Sequence, residues 1–142
     1  MTAPTTADPA GAEAARTTLH RYARAVDTRD EAALAAVFTE NVAFERVDGL
    51  REGRDTVLAF YRTVFDGPTT WSKHMVTNVL VGPHRDGLAV SAYFQAVSRT
   101  ADDAIAVFGE YDDLLVPDGD GLRIARKRID VQQTFGLNPR HG

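Results

Sequence analysis

The chain contains no cysteine, one tryptophan and two methionines in 142 residues. Without thiols, a disulfide scaffold, a thiolate zinc site, an iron–sulfur cluster and a cysteine nucleophile are all excluded. Long hydrophobic runs are missing as well, since no stretch approaches the ~18 apolar residues of a membrane span. Positive charge is scarce: 16 basic against 20 acidic side chains leave a net charge of −4. That balance argues against nucleic acid as the main partner. The opening MTAPTTADP has neither a charged nor an apolar leader region. No secretory signal is therefore expected, and a cytoplasmic location is. The motifs GxSxG, GxxxxGK[ST] and GxGxxG do not occur, and no histidine pair shows HExxH spacing. No metal and no cofactor are expected.

What is present is ordinary for a globular domain: 44% hydrophobic and 25% charged residues. The length suits one domain, large enough to bury a core without staples. Residues 1–8 read as a tail, 9–135 as the folded domain and 136–142 as a second tail. Asp8-Pro9 has the chemistry of a helix start, an Asp cap followed by Pro at the first helical position. Leu19, Tyr22, Ala23 and Val26 then recur at helical spacing. Asp30 caps a shorter helix whose apolar face is Ala33, Leu34, Val37 and Phe38. A short strand over 42–47 and a helix after Gly53 follow, stopped by Asp66-Gly67-Pro68. Beyond Pro68 come four strand-like segments at 71–82, 87–99, 104–116 and 122–133, separated by turn residues. Helices early and strands late predict an α+β fold. The expected form is a curved antiparallel sheet wrapped around a long N-terminal helix, a cone-shaped barrel with an interior pocket.

Three residues stand out for that pocket. Asp27 continues the Leu19–Ala23 spacing, so its carboxylate lies at the edge of the apolar stripe and needs a partner or a shifted pKa. It either caps the next turn or binds a core arginine, or it acts as a general acid/base or as the group that orients one. Tyr22, five residues earlier, is about 140° around the helix and able to line the same cavity mouth. His74 alternates with Val76, Asn78 and Leu80 on one strand face. If Asp27 faces His74, the pair fixes the imidazole tautomer and supplies an acid/base. Trp71, Asn78, Phe108 and Glu110 are the further expected binding residues. Glu110 points opposite to Gly109, Tyr111 and Asp113, and is an outside candidate for a second pocket carboxylate. Asp113 is expected to pair with one of Arg126-Lys127-Arg128, a run otherwise read as a solvated strand face. His20 is expected to face water, and His84 and His141 to lie in a turn and in the tail.

Tyr22-Ala-Arg-Ala-Val-Asp27-Thr-Arg-Asp30, Val37-Phe38-Thr39-Glu40-Asn41-Val42, His74-Met75-Val76-Thr77-Asn78 and Gly109-Glu-Tyr111-Asp-Asp113 resemble the SnoaL-like branch of the nuclear-transport-factor-2-like superfamily, over roughly residues 12–131. The superfamily includes dehydratases of the scytalone and bile-acid types, isomerases, epoxide hydrolases, polyketide cyclases and noncatalytic binders. In the dehydratases an Asp on the first helix and a His on the sheet form the catalytic dyad, and the resemblance implies that role for Asp27 and His74, with Tyr22 beside them. Val26 stands where scytalone dehydratase has a tyrosine, the last three strands lack histidine, and Leu122 replaces the usual Trp of the final hairpin. A two-histidine water relay is therefore not expected. The resemblance implies a cofactor-free dehydratase, isomerase or cyclase acting on a hydrophobic oxygenated metabolite. Two rival readings are a noncatalytic ligand-binding or assembly domain and an epoxide hydrolase with Glu110 or Asp112 facing Asp27. A homodimer through the outer sheet face is expected from pattern and family habit.

Overall fold

The computed structural model describes residues 8–137. The tails expected at 1–8 and 136–142 lie largely outside that range. Helix α1 spans Pro9–Thr28, with the Asp8 side chain accepting from the Gly11 N–H. It ends at Arg29, whose φ of 56° is left-handed. Asp30 caps α2, Glu31–Val37, by accepting from the Ala33 N–H at 3.0 Å. Strand β1, Phe38–Arg46, starts four residues earlier than expected. Strand β2, Gly49–Glu52, has no strand signal in the sequence, because Gly-Leu-Arg-Glu carries no β-branched residue. Helix α3, Arg54–Phe65, follows Gly53, and strands β3 (Trp71–His84), β4 (Gly87–Arg99), β5 (Ala104–Asp118) and β6 (Gly121–Gly136) complete the chain.

The strands form one sheet in the order β2-β1-β6-β5-β4-β3. Two expectations need correcting. The sheet is mixed, since β1 runs parallel to β6 with Phe44 opposite Lys127. It is also curled without closing into a barrel: β2 and β3 remain as edges. The curl has visible causes. Register shifts fall at Thr77/Leu80 in β3, and opposite Phe108/Gly109 and Leu114/Leu115 of β5, where β6 carries the extra residues Gln132 and Ala125. Such bulges bend a strand and increase its twist. Gly109 is needed at one of them, because a Cβ there would sit 2.0 Å from the Asp130 carbonyl oxygen and 2.7 Å from the Phe94 ring.

The concave face wraps α1, and Leu19, Tyr22 and Val26 pack against Phe38, Phe94, Tyr111 and Ile124 in one apolar core. Phe94 stacks on Tyr111 with 4.4 Å between ring centroids. No helix among the described residues is long and apolar enough to cross a membrane.

Candidate active site

Asp27 lies in the last turn of α1, against the start of β3. Because β3 is a sheet edge, the backbone N–H groups on its open side have no strand partner. One of them, the His74 N–H, donates to Asp27 Oδ2 at 2.7 Å. The Ser72 hydroxyl donates to Asp27 Oδ1 at 2.9 Å, and His74 Nδ1 lies 2.6 Å from the same oxygen. Burial alone would raise the Asp27 carboxyl, but the hydrogen bonds from His74 and Ser72 outweigh it and hold the group below the usual carboxylate range. An ionised carboxylate only accepts, so Nδ1 carries the proton and Nε2 is left as the basic nitrogen. The side chains are 20% exposed for His74 and 8% for Asp27.

His74 and Ser72 line a cavity of about 280 Å³. Its walls are largely apolar, with Val26, Phe60, Val64, Phe65, Phe94 and Ile129 contributing. Tyr22, Tyr61 and Tyr111 also line it. Tyr22 sits in the core rather than at the mouth, and its hydroxyl bonds that of Tyr61. Burial pushes the Tyr61 phenol up to about 12 and raises those of Tyr22 and Tyr111 well above the ordinary phenol range, so all three remain neutral donors. Arg29 and Arg46 complete the polar lining with Thr69 and Ser98.

The other expected binding residues are elsewhere. Asn78 sits in the β3 bulge with φ of 53°, a conformation Asn tolerates, and it is exposed. The bulge ends the alternation that was expected to keep Asn78 and Leu80 on the face of His74; Leu80 is 73% exposed. Trp71 lies on the opposite strand face from Ser72 and His74 and is 47% exposed. Phe108 packs edge-on against Phe135 outside the cavity. Glu110 accepts from Gln132 on that same outer side, and neighbouring Asp112 is exposed, so neither carboxylate meets Asp27. Strand alternation explains this, since Tyr111 and Asp113 take the inward positions.

Asp113 pairs with a basic residue as expected, but the solvated reading of Arg126-Lys127-Arg128 fails at its centre. Lys127 faces inward, fully buried, with Nζ 3.0 Å from Asp113 Oδ2. Nζ also lies 3.5 Å from the Tyr111 ring centroid and 4.2 Å from that of Tyr22. Tyr61, Tyr111 and Arg46 line the pocket without a distinguishing signal in the sequence. Tyr61 was visible only as part of an apolar helix stripe, and nothing around Arg46 in the sequence singles it out. Among the described residues, no group of three or more acidic or histidine side chains could hold a metal ion.

A sheet curled over one long helix, with ionisable groups converging in its hollow, defines an α+β domain built around a small-molecule pocket. Residues 11–128 match the SnoaL-like domain family, and the chain belongs to that family, within the nuclear-transport-factor-2-like superfamily. No curated protein matches the sequence. Among solved structures, a candidate aromatic ring hydroxylase from Novosphingobium aromaticivorans is 25% identical, with a TM-score of 0.85 over 92% of this chain and 96% of that one. A candidate scytalone dehydratase from the same organism is 17% identical, with a TM-score of 0.80 over 90% of this chain and 88% of that one. The type 3 hexachlorocyclohexane dehydrochlorinase of Novosphingobium barchaimii is 14% identical, with a TM-score of 0.83 and coverage of 94% on both sides. These likenesses establish the shared fold.

Proposed function

We propose that the protein is a cofactor-free acid/base enzyme that removes a proton from carbon in a hydrophobic, oxygenated small molecule. The observation that carries this reading is the Asp27–His74 pair, with Nδ1 bound and Nε2 left basic on the wall of a largely apolar cavity. Nε2 takes the proton α to a carbonyl, and the C–H electron pair moves onto the carbonyl oxygen as an enolate. Asp27 holds the ring and stabilises the imidazolium that forms. A neutral phenol from the Tyr22–Tyr61 pair donates to the enolate oxygen. The enolate then expels a β-hydroxyl as water with the proton returned by the His74 imidazolium, takes that proton back at another carbon, or closes a ring. Apolar walls strengthen these few polar contacts. The dehydratase and dehydrochlorinase names among the structural neighbours are in keeping with eliminations of this kind. Epoxide hydrolysis lacks support, because Glu110 and Asp112 face away from Asp27.

The test begins with native mass spectrometry of the purified protein to identify a retained small molecule. Proton NMR in D₂O then follows exchange of its α C–H. Exchange should be rapid with the wild type and lost with His74→Ala; persistence in the variant eliminates His74 as the base.

The protein is further proposed to act as a homodimer through the outer sheet face. Tyr93, Phe108 and Phe135 are exposed there, and patches of this kind mark contact surfaces. Sedimentation equilibrium should return twice the chain mass for the wild type and the single mass for Tyr93→Glu/Phe108→Glu. A monomeric wild type removes the proposal.

A further inference from the structure

The cavity's charge is unbalanced. In a chain of net charge −4, its lining holds two arginines, Arg29 and Arg46, and no acidic residue among those described. The nearby carboxylates are already engaged. Asp27 accepts from His74 and Ser72, and Asp113 accepts from Lys127. Asp48 is held by both Nη atoms of Arg51 at 3.0 and 3.1 Å, and Arg46 Nε stands 3.9 Å from it, beyond hydrogen-bonding range. That Nε is buried and has no hydrogen-bond partner among the described residues, its contact with Asp48 being a long ion pair only. An unpaired buried donor is costly, and native structures retain few of them. Arg29, by contrast, donates to the Thr69 carbonyl.

Arg46 also occupies a position suited to binding. Its guanidinium carbon lies 5.0 Å from the Phe60 ring centroid. A guanidinium supported on an aromatic face presents a planar fork that matches a carboxylate. Its side chain is 33% exposed, so the group is reachable. Its charge acts on the phenols of Tyr61 and Tyr111, pulling both down against the effect of burial. The cation and the hydroxyl donors line the same cavity.

We infer that the ligand is an organic anion, an aromatic or alicyclic molecule bearing a carboxylate or an acidic enol, and that Arg46 anchors that anionic oxygen group. The apolar body then lies against Phe60 and Phe94. The orientation of the reacting carbon towards His74 rests on the acid/base reading above; the preference for an anion does not, and can be measured without turnover.

The probes are 2-naphthoate and its neutral counterpart 2-naphthamide, titrated calorimetrically into the full chain. The wild type should bind the carboxylate at least about tenfold more tightly. Arg46→Met, which retains the apolar stem without the charge, should bind the two equally. Arg29→Met and His74→Ala should keep the preference. Equal affinities in the wild type, or no naphthoate binding at millimolar concentration, overturn the inference without needing any variant to fold. A preference that survives in Arg46→Met, or vanishes in His74→Ala, overturns the assignment to Arg46. Loss of proton exchange in His74→Ala with the preference intact separates this result from the test of the base.

Discussion

His74→Ala and Asp27→Asn should each lower kcat by ~10²-fold or more while the fold survives. The first removes the basic nitrogen. The second is subtler, because Asn keeps the size of Asp and loses only charge and acceptor capacity. Asp27 accepts at both oxygens: Ser72 and the imidazole at Oδ1, the His74 backbone N–H at Oδ2. An amide can satisfy one side only, and its NH₂ group then faces a donor on the other. The ring loses its fixed tautomer, and the imidazolium formed on proton transfer loses its counter-charge. Stability gives an independent readout. The Asp27 carboxyl is held below its ordinary range in the folded state, so its contribution is present above the unfolded value of 3.8 and is lost as pH falls through the lower folded value. The stability gap between wild type and Asp27→Asn should therefore be full at neutral pH and close only in strong acid. Unchanged turnover in both variants would end the catalytic reading, leaving the pair as a structural link between α1 and β3.

That link was legible in the sequence because both halves of it are local patterns. Asp27 follows Leu19 and Ala23 at four-residue spacing, and His74 alternates with Val76 on a strand. The helix starts at Asp8-Pro9 and Asp30 were legible for the same reason, since a cap is decided within one turn. Features that depend on distant partners were not. Parallel pairing of β1 with β6 is settled by residues more than eighty positions apart. The curl of the sheet follows from bulges, and each bulge changes which side chains face inward. Asn78 shows the consequence: one left-handed residue removed it and Leu80 from the face of His74. Strand alternation places Trp71 opposite Ser72 and His74, and Phe108 on the outer side with Glu110. Lys127 was half legible. A partner for Asp113 was anticipated, but the neighbouring arginines made a three-residue basic run resemble a solvated face.

Lys127 also carries the largest expected stability effect. Lys127→Met or Asp113→Leu alone should cost about 3–5 kcal/mol, because each leaves a fully buried charge without its partner. The double variant should come close to wild-type stability. Desolvation pushes the Asp113 carboxyl up to about 6 and pulls the Lys127 amine down, so the attraction between them does not fully offset the burial of both charges. Asp113 Oδ1 is in addition buried without a partner among the described residues, a cost the double variant removes. Against this stands the loss of the contacts between Nζ and the Tyr111 and Tyr22 rings. The pH dependence identifies the mechanism. A carboxyl whose folded value exceeds its unfolded value favours folding below pH 3.8 and loses that advantage as pH rises through about 6. Without Lys127 the folded value rises further, so Lys127→Met should regain stability as the solution is acidified from neutrality and Asp113 takes up a proton. Denaturant titrations of the four proteins at pH 7 and pH 5 measure this. A double variant as unstable as the single ones, or a Lys127→Met deficit that does not shrink in acid, would show that the lysine acts by packing between the tyrosine rings rather than by neutralising Asp113. The test bears on the site as well, because Tyr22 and Tyr111 line the cavity and Lys127 Nζ contacts both rings. A stable double variant with altered ligand affinity would make the buried pair a positioning device for the phenols.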